Sequence, residues 1–325
     1  MASKSSTAPG WTHTVKSAFY VFWLCLALIV GSLAGWLNQS PLLRNAALQA
    51  AGLMNPPRPI DLFGKDSITV LLLGCDEDLY FGGKQVLRHQ ARSDMMLIAK
   101  LDFKTNRIWG VSIPRDTRCR LPGYRSMKIN AYHAVAKRGR EAELTQEAVE
   151  FLLPGVHIDK VLTIDYDAFQ DLVNLVGGVQ IQIPKRMFYN DNAGNVHVNF
   201  FPGPKLLNGY DAMMFVRYRH GDSDFERQKR QKDFLLAFKD SALKNKMMLP
   251  QIAEKGKAVL GKTLSDEQIA SIIAFSRGVK AEHIVMGQVP VVQGRGSFLE
   301  IDKRALPRTL TQFGLVGRQF AFDHP

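Results

Sequence analysis

Residues 68–76 read ITVLLLGCD, six β-branched or leucine-rich positions closed by a glycine and an acid. A half-buried strand alternates apolar and polar side chains; this run does not, so it predicts a central strand covered on both faces and ending at Gly74. Working outward, Met95–Asp102 and Arg107–Ile113 read as two further strands, joined by a short turn at Lys104, Thr105 and Asn106, and so as a hairpin. Helical patterns cover Lys128–Arg138 and Glu141–Leu153, strand character covers Val156–Ile164, and Tyr166–Val176 is helical again, stopped by Gly177 and Gly178. The strand Val179–Ile183 ends at Pro184, and two more helices follow over Tyr210–Tyr218 and Asp224–Leu243, the second with Asp224 placed as its N-cap. Strands interleaved with helices predict an α/β class, a mixed central β-sheet sandwiched by helices.

Upstream, Ser17 to Trp36 is an uncharged apolar run of 20 residues, SAFYVFWLCLALIVGSLAGW. A bilayer-spanning helix needs roughly 20 such residues. Lys4 and Lys16 precede the run, which places residues 1–16 in the cytoplasm and everything after Trp36 outside, while Arg44 and Arg58 on the far side oppose that orientation. A cleaved secretory signal is the other reading, and both export the remainder. Residues 37–66, with Pro41, Pro56, Pro57 and Pro59, read as a linker. The folded catalytic region is expected over 67–245. Residues 246–325, with helical patterns at Gln251–Leu260 and Ser265–Phe275, read as a C-terminal extension or small subdomain.

The formal net charge of +12 calls for an anionic partner, which nucleic acid, acidic lipid and phosphorylated substrates satisfy equally. Of three cysteines, Cys25 lies in the apolar run, leaving Cys75 and Cys119 as the one conceivable bridge outside it. No Cys/His spacing suits zinc.

Four clusters carry chemistry. Asp76 closes the first strand and Arg92-Ser93-Asp94 opens the next; two carboxylates converging at strand ends bind a divalent cation, share a proton, or simply cap turns. Ile113-Pro114-Arg115-Asp116-Thr117 leaves a guanidinium at a strand mouth, suited to bidentate phosphate binding or to a local Arg115–Asp116 turn. Lys128-Ile129-Asn130 stands at a predicted helix start, where free backbone N–H groups favour an anion. The run Arg217 to Gln231 concentrates positive charge: Arg217 and Arg219 end one helix, and Arg227 and Gln231 share a face one turn apart on the next, with Arg230 pointing partly elsewhere. This run suits two adjacent phosphates, a solvated basic face, or a nucleic acid.

In this order the stretches LLLGCD, RSDMML, SIPRDT, KIN, LVGGVQI, LNGYDAM and RYRHGDSDFERQKRQ, between about Ser67 and Lys244, resemble the LytR-CpsA-Psr family of envelope glycopolymer ligases. The resemblance implies an α/β/α core with an apolar pocket for a polyprenyl chain and a pyrophosphate at its mouth. It implies Mg²⁺ held by Asp76 and Asp94, phosphates contacted by Arg115, Arg217, Arg219, Arg227 and Gln231, and head-group contacts from Lys128, Arg92 and Arg230. The partners expected are a polyprenyl-pyrophosphate-linked glycan, peptidoglycan and the plasma membrane, with no nucleic acid. Phe151, Leu152, Phe169, Leu172, Val173 and Phe215 sit at helical positions suited to lining the pocket or to filling ordinary core. A hydrolase or carrier of the same lipid would need the same cradle, and a cytoplasmic nucleic-acid regulator would use the same basic run.

Overall fold

The computed structural model describes residues 57–81, 84–191, 196–218, 224–244 and 263–317, with backbone alone at 76–81, 84–90, 191, 196, 224–225, 227–228 and 243. The predicted membrane segment 17–36 and helix 251–260 lie outside these residues. Residues 56–325 form one compact unit.

In chain order the elements are α1 (Pro59–Phe63), β1 (Ser67–Phe81), β2 (Lys84–Asp102), β3 (Arg107–Ser112), β4 (Arg118–Cys119), β5 (Met127–Lys128), α2 (Ala131–Val135) and α3 (Glu141–Leu152). They continue with β6 (Lys160–Asp165), α4 (Tyr166–Leu175), β7 (Val179–Ile183), β8 (Met187–Asp191), β9 (Val196–Phe200), β10 (Gly203–Leu207), α5 (Gly209–Arg217) and α6 (Asp224–Lys244). The last are α7 (Asp266–Gly278), β11 (Ile284–Gln288), β12 (Val291–Gln293), β13 (Leu299–Ile301) and α8 (Leu306–Gln312).

Five strands make the central sheet in the order β11-β3-β2-β1-β6. Strand β2 runs antiparallel to β1 and β3, whereas β6 is parallel to β1 and β11 to β3, so four strands share one direction and the sheet is mixed. The run that predicted a doubly covered strand is one. Leu71, Leu73 and Cys75 join a core with Tyr132 of α2, Ala148 of α3 and Leu310 of α8, while Ile68 and Val70 face Ile269 and Phe275 of α7. Each fully buried leucine there contributes about 1.5–3 kcal/mol relative to exposure. The turn between β2 and β3 closes on Asp102, whose carboxylate accepts from the backbone N–H of Lys104 and Thr105 at 3.1 and 2.9 Å, with Asn106 left-handed at φ 53°.

Three expectations change. The helix predicted over Lys128–Arg138 shrinks to Ala131–Val135, because Met127 and Lys128 are drawn into a two-stranded ladder with Cys119 and Arg118. The strand predicted from Val156 begins only at Lys160, the preceding residues forming a turn in which Val156 N–H donates to Leu153 O at 3.1 Å. The sheet does not stop at residue 245: β11 is one of its edge strands and α8 packs on its core, so the tail that read as an extension is partly built into the sheet. Its residues 284–288 lack strict alternation and gave no strand signal of their own.

A third core lies beside the sheet, built from α4, α5 and α6 with β7 to β10. Helix α5 approaches α4 closely because Gly209 lies directly against Gln170; a Cβ at Gly209 would sit 2.6 Å from the Gln170 Cα. Asn208 caps α5 by accepting from Asp211 N–H at 2.8 Å, and Asn174 of α4 accepts from Gly209 N–H at 2.8 Å.

Candidate active site

The β1–β2 ladder slips at one point. Gly74 pairs with Met95 but Cys75 pairs with Ser93, so Asp94 is the extra residue of a β-bulge. A bulge re-aims one side chain out of the alternation, and here that side chain is a carboxylate. Arg115 Nη1 donates to Asp94 Oδ2 at 2.8 Å and Asn130 Nδ2 donates to Asp94 Oδ1 at 3.1 Å.

The loop bearing Arg115 is fixed by backbone. Thr117, fully buried, donates from both N–H and hydroxyl to Pro114 O, at 3.0 and 2.7 Å; Ile129 N–H donates to Thr117 O at 2.8 Å and Asn130 N–H to Arg115 O at 3.4 Å. The Lys128-Ile129-Asn130 segment is thus a brace for the arginine loop. Lys128 Nζ itself pairs with Asp116 Oδ1 at 2.7 Å, and Arg115 Nε lies 3.9 Å from Asp116 Oδ2. Acids and bases alternate along one chain, Asp94, Arg115, Asp116, Lys128, so each charge is partly neutralised.

Behind the bulge, His133 of α2 ties both strands. Its Nδ1 lies 2.7 Å from Ala91 O and so carries the proton, leaving Nε2 to accept from the Cys75 thiol at 3.4 Å. Cys75 and Cys119 are both buried and no bridge joins them. Burial lowers the His133 pKa below its ordinary 6.5, partly opposed by the hydrogen bond to Ala91. The folded protein therefore binds this proton less readily than the unfolded chain. His133 keeps its full contribution above pH 6.5, and stability falls as pH drops through the lowered value. Urea midpoints above and below that pH should show the loss, and His133→Gln should flatten the dependence.

A cavity of about 390 Å³ opens beside Gly74, where the β1–β2 ladder slips, and at the carboxyl ends of β3 and β6. Its polar lining includes Asp94, Arg115, Asp165, Arg217 and Gln231; its apolar lining includes Met95, Met96, Phe169, Val198, Met213 and Met214. Methionines fill such walls adaptably, because an unbranched thioether conforms to an irregular chain. Arg217, at the last turn of α5, stacks its guanidinium 4.4 Å from the centroid of Tyr166, which also lines the space.

Of the residues singled out from sequence, Asp94, Arg115, Arg217 and Gln231 converge on this cavity. Asp76 is placed by its backbone, paired with Arg92 next to the bulge, and its side chain lies outside the described residues. Arg219 and the Arg227 side chain also lie outside them. Arg92 is exposed, and neither it nor Lys128 lines the cavity. Arg230 is a correction to its expected head-group role. It is only 6% exposed, donates to Tyr218 O, and packs between the Phe215 and Tyr218 rings, so burial spends it on the fold. Among the six apolar candidates Phe169 lines the cavity, while Val173 and Phe215 are core and Phe151 is exposed.

Sequence reading missed Asp165 and Tyr166. Asp165 pairs with Cys75 at the end of β6 and caps α4, accepting from Ala168 N–H at 2.6 Å. An acid ending a strand and beginning a helix, as in Ile164-Asp165-Tyr166, was the available signal.

Residues 49–312 match the LytR_cpsA_psr family. The chain belongs to that family. Among its relatives are two Bacillus subtilis proteins, the polyisoprenyl-teichoic acid–peptidoglycan teichoic acid transferases TagV and TagT. TagV is 33% identical over 69% of this chain, and TagT 33% identical over 55%. The chain spans about half the length of these curated relatives, 54% of each. Among solved family structures, that of B. subtilis TagV is 27% identical with a TM-score of 0.57, over 80% of this chain and 99% of that one. A structure of TagT bound to LIIa-WTA is 26% identical with a TM-score of 0.53, over 77% and 90%.

Proposed function

We propose that this chain is a phosphotransferase that moves a phosphate-linked glycan from a polyprenyl-pyrophosphate carrier onto peptidoglycan, working at the outer face of the plasma membrane. The observation that carries the reading is a single cavity whose lining joins methionine and aromatic walls to Asp94, Arg115, Arg217 and Gln231. An isoprenoid tail requires the first set of residues and a pyrophosphate the second. The family relatives named for teichoic acid transfer, and TagT bound to LIIa-WTA, support the same substrate class. Residues 17–36 would anchor the chain in a single pass, with residues 67–245 carrying most of the site outside the membrane.

Phosphoryl transfer depends on positioning and charge stabilisation more than on a covalent side-chain nucleophile. The described lining contains neither histidine nor cysteine, and the hydroxyl of Ser112 donates to Gly287 O at 3.2 Å. Direct displacement suits this set. A peptidoglycan hydroxyl forms the new P–O bond at the phosphorus nearer the sugar, the bond to polyprenyl phosphate breaks, and the hydroxyl proton leaves to solvent. Arg115 and Arg217 hold the phosphate oxygens, Tyr166 orients the Arg217 guanidinium, and Asp94 orients Arg115.

Mg²⁺ fits the donor set. The cation binds hard oxygens through one or two carboxylates and completes its shell with water and phosphate. Asp94 offers such oxygens at the bulge, the Asp76 backbone pairs with Arg92 just beyond it, and the neighbouring Asn130 Oδ1 is buried with no hydrogen-bond partner among the described residues. Asp94 and Asp76 would hold the ion, which when bound neutralises pyrophosphate charge.

The test is lipid extraction and mass spectrometry of the purified protein, wild type against Arg217→Ala. Polyprenyl phosphate or pyrophosphate retained by the wild type and depleted in the variant is the expected result; a folded wild type with no such lipid would defeat the reading. Product analysis separates ligase from hydrolase, since a hydrolase releases phosphorylated glycan and joins none to peptidoglycan. A nucleic-acid role is disfavoured by Arg230, whose burial interrupts the basic run as a solvated stripe.

A further inference from the structure

Strands β8 and β9 form a two-stranded ribbon with two unlike faces. Met187, Val198 and Phe200 point inward and are buried, and Tyr189 and Val198 line the cavity. On the other face, Phe188 is 61% exposed, and Phe201, just past the end of β9, is 66% exposed. Arg186 lies between them, its guanidinium 4.0 Å from the Phe201 ring centroid and 5.5 Å from that of Phe188. Arg186 Nη1 donates to Phe200 O at 2.9 Å and to Met187 O at 3.4 Å, and no carboxylate among the described residues pairs with it.

Two phenylalanines more than half in water, joined by one cation, are an unusual surface for a protein that stays fully solvated. A guanidinium carries five N–H donors in a planar fork, so one that uses Nη1 on two carbonyls can still grip phosphate oxygens. Aromatic rings beside such a cation match the layering of a bilayer interface, where phosphate lies above and acyl chains below. A second copy of the chain would offer the rings an apolar partner but, at a net charge of +12, no matching anion field for Arg186.

We propose that Arg186, Phe188 and Phe201 form a membrane-docking face that rests on the phosphate-bearing surface of the bilayer, with the cavity directly behind it. The strands are one residue thick, so the side chains that meet lipid and those that line the cavity alternate along β8 as Phe188 and Tyr189. A polyprenyl tail then passes from bilayer to cavity along the ribbon, without crossing bulk water. This inference rests on the polyprenyl reading above.

The experiment uses the full chain in vesicles of phosphatidylcholine, with or without phosphatidylglycerol. Cys25 is changed to serine and an environment-sensitive fluorophore is attached through Phe188→Cys; Cys75 and Cys119 are buried. A label through Val292→Cys, on the surface of β12, is the reference. The label at 188 should be quenched several-fold more by lipid-borne nitroxide than the label at 292, and adding Arg186→Glu should remove the difference, most clearly with phosphatidylglycerol present. Quenching at 188 by aqueous iodide as strong as at 292 overturns the proposal; so does protection from both quenchers, which would mean that protein covers the face. A second measurement separates this idea from the function it rests on. Phe188→Ser with Phe201→Ser should lose transfer from a vesicle-borne polyprenyl donor several-fold while keeping it from a short-chain, water-soluble one. Equal retention with both donors overturns docking, whereas a wild type inactive on both overturns the transferase reading and leaves the quenching result to judge docking.

Discussion

Asp94→Asn is expected to lower the proposed glycan transfer by about 10²–10³-fold, the usual cost of removing one preorganised charge-stabilising group, while the protein stays folded. The substitution keeps the size of the side chain and one acceptor oxygen, but it removes the charge that holds Arg115 at 2.8 Å and disturbs the pairing with Asn130. Arg115 lines the cavity beside Asp94, so the loss falls on its polar end and spares the apolar walls. Product formation from a lipid-linked donor, followed by mass spectrometry, should show the fall with little change in the amount of co-purified polyprenyl lipid. Asp116→Asn is the control. Asp116 pairs with Lys128 away from the cavity lining, and its loss should cost far less. Transfer by Asp94→Asn within about tenfold of wild type would remove Asp94 from the reacting centre, since tenfold is only about 1.4 kcal/mol of barrier.

Gly209→Ala destabilises the protein by about 3 kcal/mol, the upper part of the range for overpacking. The new methyl would meet the backbone of Gln170, its Cα at 2.6 Å and carbonyl carbon at 2.8 Å, and backbone inside a helix cannot rotate away as a side-chain tip can. The two helices must separate, and with them Arg217 on α5 from Tyr166 on α4, now stacked at 4.4 Å. Thermal denaturation should show a midpoint lower by about 5–10 °C. Lipid retention should fall as well, because Met213 and Phe169 form facing parts of the cavity wall on the same two helices. Gly110→Ala provides a contrast. Its Cβ would meet the thioether of Met286, a flexible chain end that can move, so the cost should be smaller.

Several parts of this molecule were legible in the amino-acid order. The unbroken run at 68–73 specified a strand buried on both faces because apolar side chains without alternation leave no face for water. The order of short motifs, from LLLGCD to the basic run, marked the family, and it singled out Asp94, Arg115, Arg217 and Gln231, which meet in one cavity. The helical pattern over Ser265–Phe275 was legible too, and the structure caps that helix at Ser265, whose side chain accepts from Gln268 N–H at 3.2 Å.

Other features belong to tertiary structure alone. Whether Phe169 lines a cavity or Phe215 fills a core is invisible in sequence, since both needs select the same apolar chemistry and only the packing partner differs. The charge on Arg230 suggested a ligand contact, yet its guanidinium serves the Tyr218 carbonyl, because a long side chain can turn either way from the same helix position. Strand β11 entered the sheet through pairing with residues some 175 positions earlier, Gly287 against Val111, a partnership that no local pattern encodes. The bulge at Asp94 has the same origin. A one-residue slip between two strands exists only once both strands are paired, and that slip aims the carboxylate toward Arg115 and the cavity. The sequence by itself determined which residues carry charge, which runs are buried and which family they compose; the long-range pairing of strands and helices decided which of those charges face one another, because contact across the fold depends on partners that the local order does not contain.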